Sequence, residues 1–145
     1  MLHETAHRQL PALLLIDDDD VSREVVGTLL SLSGYTVNSA AGGDAAVEML
    51  VTGSFAPGLI LMDAQMPGLS GLPLIAALRA QTDACICLIS ASAPPENLRD
   101  AADGFLLKPF APDDLDKFIN LRSFLTPESP TKSLRSSSTT CSSAM

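Results

Sequence analysis

The hydrophobic residues of this chain are gathered in short continuous runs, each of which ends at a polar residue. Four such runs stand at residues 13–16, 59–62, 86–89 and 105–107, and the residues that follow them are Asp17, Asp63, Ser90 and Lys108. Continuous apolar runs of this length are typical of strands that are buried on both faces, as in a parallel sheet. A fifth segment, residues 35–39, alternates between apolar and polar positions and predicts a half-exposed edge strand.

Helical patterns lie between these runs, at residues 22–33, 44–51, 72–80, 96–102 and 112–125. In the first of them, one apolar face is predicted to contain Val25, Val26, Leu29 and Leu32. Gly34 suits the position just beyond its end, where a glycine commonly stops a helix. The fourth helix follows the pair Pro94-Pro95 and is expected to be short.

Strand and helix alternate five times along the chain, which predicts an α/β fold with a doubly wound, five-stranded parallel sheet. Crossovers of this length fit the flavodoxin-like strand order 2-1-3-4-5. We expect one domain over residues 12–125, a flexible N-terminus over residues 1–11 and a disordered tail over residues 126–145. The tail has eleven Ser and Thr among its twenty residues, a composition that cannot build a packed core.

Charge and composition limit the classes of function. The chain has 145 residues, seventeen Asp and Glu, nine Lys and Arg, and a net charge of −8. Contacts with phosphate need clustered Lys and Arg, so neither a nucleic acid nor an anionic membrane is an expected partner. No apolar run approaches the ~20 residues of a membrane span, and residues 1–10 lack the apolar core of a signal peptide. The three cysteines predict a reduced, cytoplasmic protein rather than a disulfide scaffold.

The acidic residues are concentrated where the first predicted strand ends. Four of them are consecutive, from Asp17 to Asp20. In open α/β sheets, ligands bind beyond the carboxyl ends of the strands, at the point where the strand order reverses. In the predicted order that point lies between the first and third strands, which end at Asp17 and Asp63. Ser90 and Lys108 follow the fourth and fifth strands at the same edge.

Asp17, Asp18 and Asp63 would therefore lie close together and repel one another. At an effective dielectric constant of roughly 20, each pair of carboxylates about 4 Å apart costs about 4 kcal/mol, and one lysine cannot offset three such pairs. Either some of the carboxylates are protonated or a cation lies among them. An all-oxygen site with open positions suits Mg²⁺. A carboxylate, Mg²⁺, a lysine and a hydroxyl together favour phosphoryl transfer onto an aspartate, with the carboxylate as the nucleophile.

At these positions the sequence resembles a response-regulator receiver domain of two-component signalling, the CheY-like family. The matching motifs are LLIDDD at residues 14–19, LMD at 61–63, MPG at 66–68 with Gly71, SA at 90–91 and FLLKPF at 105–110. They follow one another in the family's order across residues 12–125. The resemblance implies a signalling phosphoacceptor and not an enzyme. Its partners would be a sensor histidine kinase or a histidine phosphotransfer protein, which supplies the phosphoryl group, and an unknown downstream protein.

The resemblance also implies a role for each site residue. Asp63 would be the phosphoacceptor. The ligands of Mg²⁺, for which Mn²⁺ can substitute, would be Asp17, Asp18, Asp63 and the backbone carbonyl of Gln65. The switch residues would be Ser90 and Phe105, and the residues that bind the phosphoryl group would be Lys108, Ser90 and Ala91. The bond Lys108-Pro109 is similar to the family's cis peptide.

Two departures from the family's pattern affect these expectations. The stretch between Ser90 and Lys108 is shorter than the family usually has, by about one helical turn (~3.6 residues). The fourth helix is therefore expected to be short or remodelled. Phe105 lacks the hydroxyl of the commoner tyrosine, and burial alone would favour its inward rotamer.

Two alternative functions remain open. One is a haloacid-dehalogenase-like phosphatase, since residues 17–21 satisfy the pattern Asp-x-Asp-x-Val, although this leaves Asp63 unexplained. The other is a degenerate receiver, which binds a partner and is never phosphorylated. No DNA-binding or catalytic domain follows residue 125 in this sequence, so we expect a stand-alone regulator or a receiver excised from a longer protein.

Several polar residues have a simpler interpretation than a role in the site. Asp19 and Asp20 are either further metal ligands or solvated acids, and Asp20 or Ser22 suits the cap of the following helix. Cys85 and Cys87 are expected to be small buried residues, because no third or fourth thiol or imidazole accompanies them.

Overall fold

The computed structural model describes residues 10–53 and 55–125, with side chains as far as residue 120. Its strands are β1 (Ala12–Ile16), β2 (Thr36–Ala40), β3 (Leu59–Asp63), β4 (Cys85–Ser90) and β5 (Gly104–Leu107). Its helices are α1 (Asp20–Leu32), α2 (Gly43–Val51), α3 (Gly71–Arg79), α4 (Glu96–Ala101) and α5 (Pro112–Leu125). The predicted tail, residues 126–145, and residues 1–9 of the predicted N-terminal segment lie outside the described residues.

The strands form one parallel sheet in the order β2-β1-β3-β4-β5. The predicted order and the doubly wound architecture are confirmed. In β1, Leu14 lies opposite Asn38 of β2 on one side and Ile60 of β3 on the other. Because the order reverses between β1 and β3, the residues at their carboxyl ends flank a crevice.

Alternate residues of the strands supply the two halves of the core. One half includes Leu14, Ile60, Ile86, Leu74 and Leu98, and so joins the sheet to α3 and α4. The other half includes Leu13, Leu61, Cys87, Leu30 and Leu115, and so joins the sheet to α1 and α5. Full burial of a leucine contributes about 1.5–3 kcal/mol, so a few such side chains hold each helix on the sheet. Cys87 is buried, as predicted, whereas Cys85 is only half-buried.

The apolar face predicted for α1 is wrong at three of its four residues, and only Val26 packs on the core. Leu30 is the buried residue of this helix, and Val26 packs partly buried on the same half of the core. Val25, Leu29 and Leu32 are 52%, 44% and 80% exposed. Successive residues of a helix are about 100° apart. The adjacent pairs at residues 25–26 and 29–30 therefore allow two apolar faces with the same spacing, one with Val25 and Leu29 and the other with Val26 and Leu30.

The start of α1 also differs from the prediction. The helix begins at Asp20, and its N-cap is Asp19 rather than the predicted Asp20 or Ser22. The Asp19 carboxylate accepts a hydrogen bond from the backbone N–H of Ser22 at 2.7 Å. Beyond this cap, Val26 and Leu30 pack on the half of the core that includes Leu13 and Leu61.

The helix α4 is short, as predicted, and with six residues it ends one residue before the predicted range of 96–102; hydrogen bonds join its end to the neighbouring elements. The guanidinium of Arg79, in α3, donates to the carbonyl of Ala101 at 3.0 Å and to the carboxylate of Asp103 at 3.1 Å. Asp103 also accepts from the backbone N–H of Ile86 at 2.8 Å, and only 2% of its side chain is exposed. These bonds join α3, α4 and β4 just before β5 begins.

No helix within residues 10–53 and 55–125 combines the length and the hydropathy that crossing a membrane requires.

Two leucines of α1 are expected to differ sharply when each is replaced by alanine. Leu30→Ala should lower the free energy of unfolding by about 2–5 kcal/mol, because it empties a buried position. Leu32→Ala should change it by no more than about 0.5 kcal/mol, because that side chain is exposed. Urea denaturation followed by circular dichroism measures both. Similar losses for the two variants would contradict the observed orientation of the helix.

Candidate functional site

The carboxylates of Asp17, Asp18 and Asp63 meet at the carboxyl edge of the sheet, in the crevice between β1 and β3. One oxygen from each lies within 4.8 Å of the other two, an arrangement that could hold a metal ion. The residues meet because β1 and β3 run parallel and end side by side, with Ile16 opposite Met62. The sequence analysis predicted from the ends of the strands that these three carboxylates lie close together, and the structure confirms it.

Asp17 is completely buried, and each of its carboxylate oxygens has a hydrogen-bond donor. Oδ1 accepts from the N–H of Asp19 at 2.9 Å, and Oδ2 accepts from the hydroxyl of Ser22 at 2.9 Å. The guanidinium of Arg23 donates to the backbone carbonyl of Asp17 at 2.8 Å. Burial of a carboxylate costs free energy unless the group is paired and hydrogen-bonded, so these donors stabilise Asp17 where it lies.

Lys108 links the carboxylates of Asp63 and Asp17. Its Nζ atom lies 3.3 Å from Oδ2 of Asp63 and 3.6 Å from Oδ2 of Asp17. Its backbone N–H donates to the carbonyl of Ser90 at 2.7 Å, which continues the pairing of β5 with β4 and holds the lysine at the edge. The following peptide bond, Lys108-Pro109, is cis, as the resemblance implied.

Asp63 is the last residue of β3, and 13% of its side chain is exposed. Its Oδ1 accepts from the N–H of Gln65 at 2.9 Å. Burial raises the pKa of the Asp63 carboxyl above its ordinary value and the charge of Asp17 adds to this, whereas the Gln65 N–H and Lys108 oppose the shift. The surroundings of Asp63 therefore disfavour its ionised form, and a cation would favour it. The role predicted for the Gln65 carbonyl stays a prediction.

The predicted switch residues lie on β4 and β5. Ser90 ends β4 and is buried, and its hydroxyl accepts from the N–H of Ser92 at 3.3 Å. Ala91 follows it and is exposed. Phe105 is half-buried against the half of the core that contains α3 and α4, and the guanidinium carbon of Arg99 lies 5.8 Å from the centre of its ring. Ser90 thus lies at the edge with the carboxylates, whereas Phe105 lies further back along β5.

The donor set of the site fits Mg²⁺. The three carboxylates offer only oxygen ligands, and Mg²⁺ is usually held by one or two carboxylates together with waters. Mn²⁺ suits the same ligands. The other two acids of the run have different roles, since Asp19 caps α1 and Asp20 pairs with Arg23 at 2.6 Å. The simpler interpretation of these two residues is thus the one that the contacts support.

Three contacts around the site had no counterpart among the sequence predictions. Ser22 and Arg23 reach Asp17 because the first turn of α1 lies against the end of β1. The position of the helix start could have predicted the contacts of Ser22 and Arg23. It is ambiguous in the sequence, because each of the four consecutive aspartates suits an N-cap. The approach of Arg99 to Phe105 depends on the path of the chain between α4 and β5, which no local pattern fixes.

The family is identified by comparison with known proteins. The family described as the response regulator receiver domain matches residues 13–120. The response regulator MprA of Mycobacterium ulcerans is 37% identical over 108 residues, which are 71% of this chain and 46% of that protein. The probable transcriptional regulator ycf27 of Cyanidium caldarium is 32% identical over 114 residues, which are 74% of this chain and 44% of that protein. The chain thus spans about half the length of these curated relatives.

A solved structure extends the likeness to the fold. The crystal structure of the response regulator protein TrrA from Thermotoga maritima, in complex with Mg(2+)-BeF, matches with a TM-score of 0.67 and 29% identity. The match covers 77% of this chain and 98% of that chain. Since the family match covers most of this sequence and the strand order agrees with it, the chain belongs to the response-regulator receiver domains of two-component signalling.

Proposed function

We propose that this receiver domain accepts a phosphoryl group on Asp63 from a phosphohistidine, with Mg²⁺ as cofactor, and thereby switches a protein-binding surface. The observation that carries the proposal is the cluster of Asp17, Asp18 and Asp63, with Lys108 3.3 Å from the Asp63 carboxylate. A carboxylate nucleophile beside an ammonium group and a set of cation ligands suits phosphoryl transfer. The phosphodonor would be a sensor histidine kinase or a histidine phosphotransfer protein.

In the proposed step, an oxygen of the Asp63 carboxylate attacks phosphorus in line with the P–N bond of the phosphohistidine. The P–O bond forms, the P–N bond breaks, and its electron pair stays on the leaving imidazole. Lys108 neutralises part of the charge on the phosphoryl oxygens. Asp17, Asp18, Asp63 and the carbonyl of Gln65 would hold Mg²⁺, which when bound supplies further positive charge for those oxygens. The phosphoryl group stays on the protein's own aspartate, so the domain is an acceptor and not an enzyme.

The proposed switch uses Ser90 and Phe105. A phosphoryl group carries about −1.5 to −2 charge at neutral pH and offers strong acceptor oxygens. The Ser90 hydroxyl, which accepts from Ser92 in the described conformation, would turn to donate to one of these oxygens, with the N–H of Ala91 as a second donor. Phe105 would then repack, and the altered surface around it would be read by a downstream protein.

An exposed apolar stripe on α1 is the surface that we propose for docking of the phosphodonor. Its residues are Val21, Val25, Leu29 and Leu32, which are 70%, 52%, 44% and 80% exposed. Their spacing of four, four and three residues places them along one side of the helix. Exposed apolar patches mark interaction sites. The stripe begins at the end of α1 that lies against the carboxylates, so a partner packed on it would present a histidine near Asp63.

The remaining expectations about partners and location stay predictions. One relative is named a transcriptional regulator, but this chain matches only 44% of its length. A nucleic-acid partner for a longer protein is compatible with that name. The expectation that residues 12–125 bind no nucleic acid themselves rests on their excess of acidic residues. The cytoplasmic location rests on the three cysteines, whose reduced state is predicted, and is equally a prediction.

Acetyl phosphate with Mg²⁺ is expected to add one phosphoryl group to the protein, detectable as a gain in intact mass. EDTA should abolish the product, and so should Asp63→Asn, because an amide nitrogen cannot act as the nucleophile. Asp83→Asn is a matched control, since Asp83 is an exposed aspartate in the loop before β4, at the amino edge of the sheet. A folded wild type that gains no mass would favour the degenerate receiver. A product that survives Asp63→Asn would place the acceptor elsewhere.

Asp63→Asn is also expected to raise the free energy of unfolding in metal-free solution at neutral pH. The raised pKa of Asp63 means that stability is lost as the pH rises through that pKa, and a neutral amide removes this loss. Mg²⁺ at 100 times its Kd should stabilise the wild type by about 2.7 kcal/mol and the variant by less. Urea denaturation in EDTA and in Mg²⁺ measures both effects. If the Asp63→Asn variant were less stable than the wild type in EDTA, the claim that the surroundings of Asp63 disfavour its ionised form would be contradicted.

Val25→Glu is expected to slow phosphotransfer from a histidine phosphotransfer protein that phosphorylates the wild type. We expect a roughly tenfold lower rate, equivalent to about 1.4 kcal/mol, because the charge must be desolvated in an apolar interface. The reaction with acetyl phosphate should not change. Val51→Glu is the matched control, since Val51 is 59% exposed at the end of α2. Transfer of labelled phosphate measures the rates, and equal rates for the two variants would exclude docking on the stripe.

A further inference from the structure

The hydroxyl of Ser22 contacts the site without being one of its predicted ligands. It donates to Oδ2 of Asp17 at 2.9 Å, and Asp17 has no exposed surface. We infer that Ser22 is a positioning residue, which fixes the carboxylate of Asp17 and thereby sets the affinity of the site for Mg²⁺. The inference rests on the proposed role of Asp17 in holding the metal.

The burial of Asp17 makes this hydrogen bond difficult to replace. A donor lost at an exposed carboxylate is replaced by water, whereas a donor lost at a buried carboxylate leaves an oxygen that must find another partner. The ammonium group of Lys108 also lies near Oδ2, at 3.6 Å, and it lies 3.3 Å from Asp63. Without the Ser22 hydroxyl, Oδ2 would turn towards Lys108, and the geometry that Asp17 offers to a metal would change.

The hydrogen bonds at the start of α1 show that the Ser22 hydroxyl is not used for capping. In a capping box the side chain at the third helical position returns to the N–H of the N-cap residue. Here the N-cap is Asp19 and the third position is Ser22, yet the Asp19 N–H donates to Oδ1 of Asp17. The Ser22 hydroxyl donates to the other oxygen of the same carboxylate. The first turn of α1 therefore holds Asp17 at both oxygens.

Donors of this kind are known to tune metal sites. Groups that hydrogen-bond to a ligating carboxylate orient it, and their removal typically weakens metal binding by roughly 10–100-fold. Ser22 is uncharged, so its replacement changes the orientation of Asp17 and leaves the net charge of the site unaltered. A change in Mg²⁺ affinity would thus report positioning rather than electrostatic attraction.

Isothermal titration of the metal-free protein with Mg²⁺ tests the inference on four variants. Ser22→Ala removes the donor and should weaken binding at least tenfold. Ser22→Cys keeps the size of the side chain with a weaker donor and should give an intermediate affinity. Ser22→Thr keeps the hydroxyl and should bind within about threefold of the wild type, as rescue by a conservative replacement. Ser33→Ala is the control, because the Ser33 hydroxyl donates to the Leu29 carbonyl at the other end of α1, away from the carboxylates.

Each outcome of this titration bears on the inference. Equal affinity of the wild type, Ser22→Ala and Ser22→Cys would overturn it and leave the proposed function intact. Equal weakening by Ser22→Ala and Ser33→Ala would also overturn it, since that result would indicate a general loss of helix stability. A wild type that binds no Mg²⁺ would refute the proposed function, and the inference with it. If Ser22→Ala does not fold, the order of affinities among serine, threonine and cysteine decides the question.

Discussion

A carboxylate that has no contact with water must find its hydrogen-bond donors within the protein, and Asp17 is such a carboxylate at the end of β1. Its backbone is held by the sheet, since its N–H donates to the carbonyl of Ala40 at 3.2 Å. Its side chain is held by the first turn of α1 and lies near Lys108, which follows β5. The arrangement of the site thus depends on both the nearest helix and the farthest strand.

The same burial explains why the site favours positive charge. Asp63 shares the crevice with Asp17 and Asp18, and within the described residues one ammonium group, that of Lys108, lies between Asp63 and Asp17. Burial is the main cause of the raised pKa of Asp63, and the charge of Asp17 adds to it. Carboxylates gathered in one crevice repel one another, and a divalent cation held by the same oxygens would reduce that repulsion.

The carboxyl edge could be predicted from the sequence because apolar runs in a buried parallel sheet end abruptly, and the next residue, as at Asp17 and Asp63, marks the edge. The buried face of α1 could not be predicted, because adjacent apolar residues at 25–26 and 29–30 give two faces of equal periodicity. Packing against the sheet selects the face with Val26 and Leu30, and periodicity alone does not show which face packs. The switch roles concern a second conformation, which neither the sequence nor a single structure describes.

The exposed stripe of α1 has a consequence for the colloidal behaviour of the chain. An apolar patch that no partner covers favours association between copies. The net charge of −8 opposes this association, because like-charged molecules repel. Salt shortens the range of that repulsion from roughly 30 Å at 0.01 M to about 3 Å at 1 M, while the apolar attraction persists. Ionic strength therefore sets the concentration at which the chain stays dispersed, without any change in the interior of the fold.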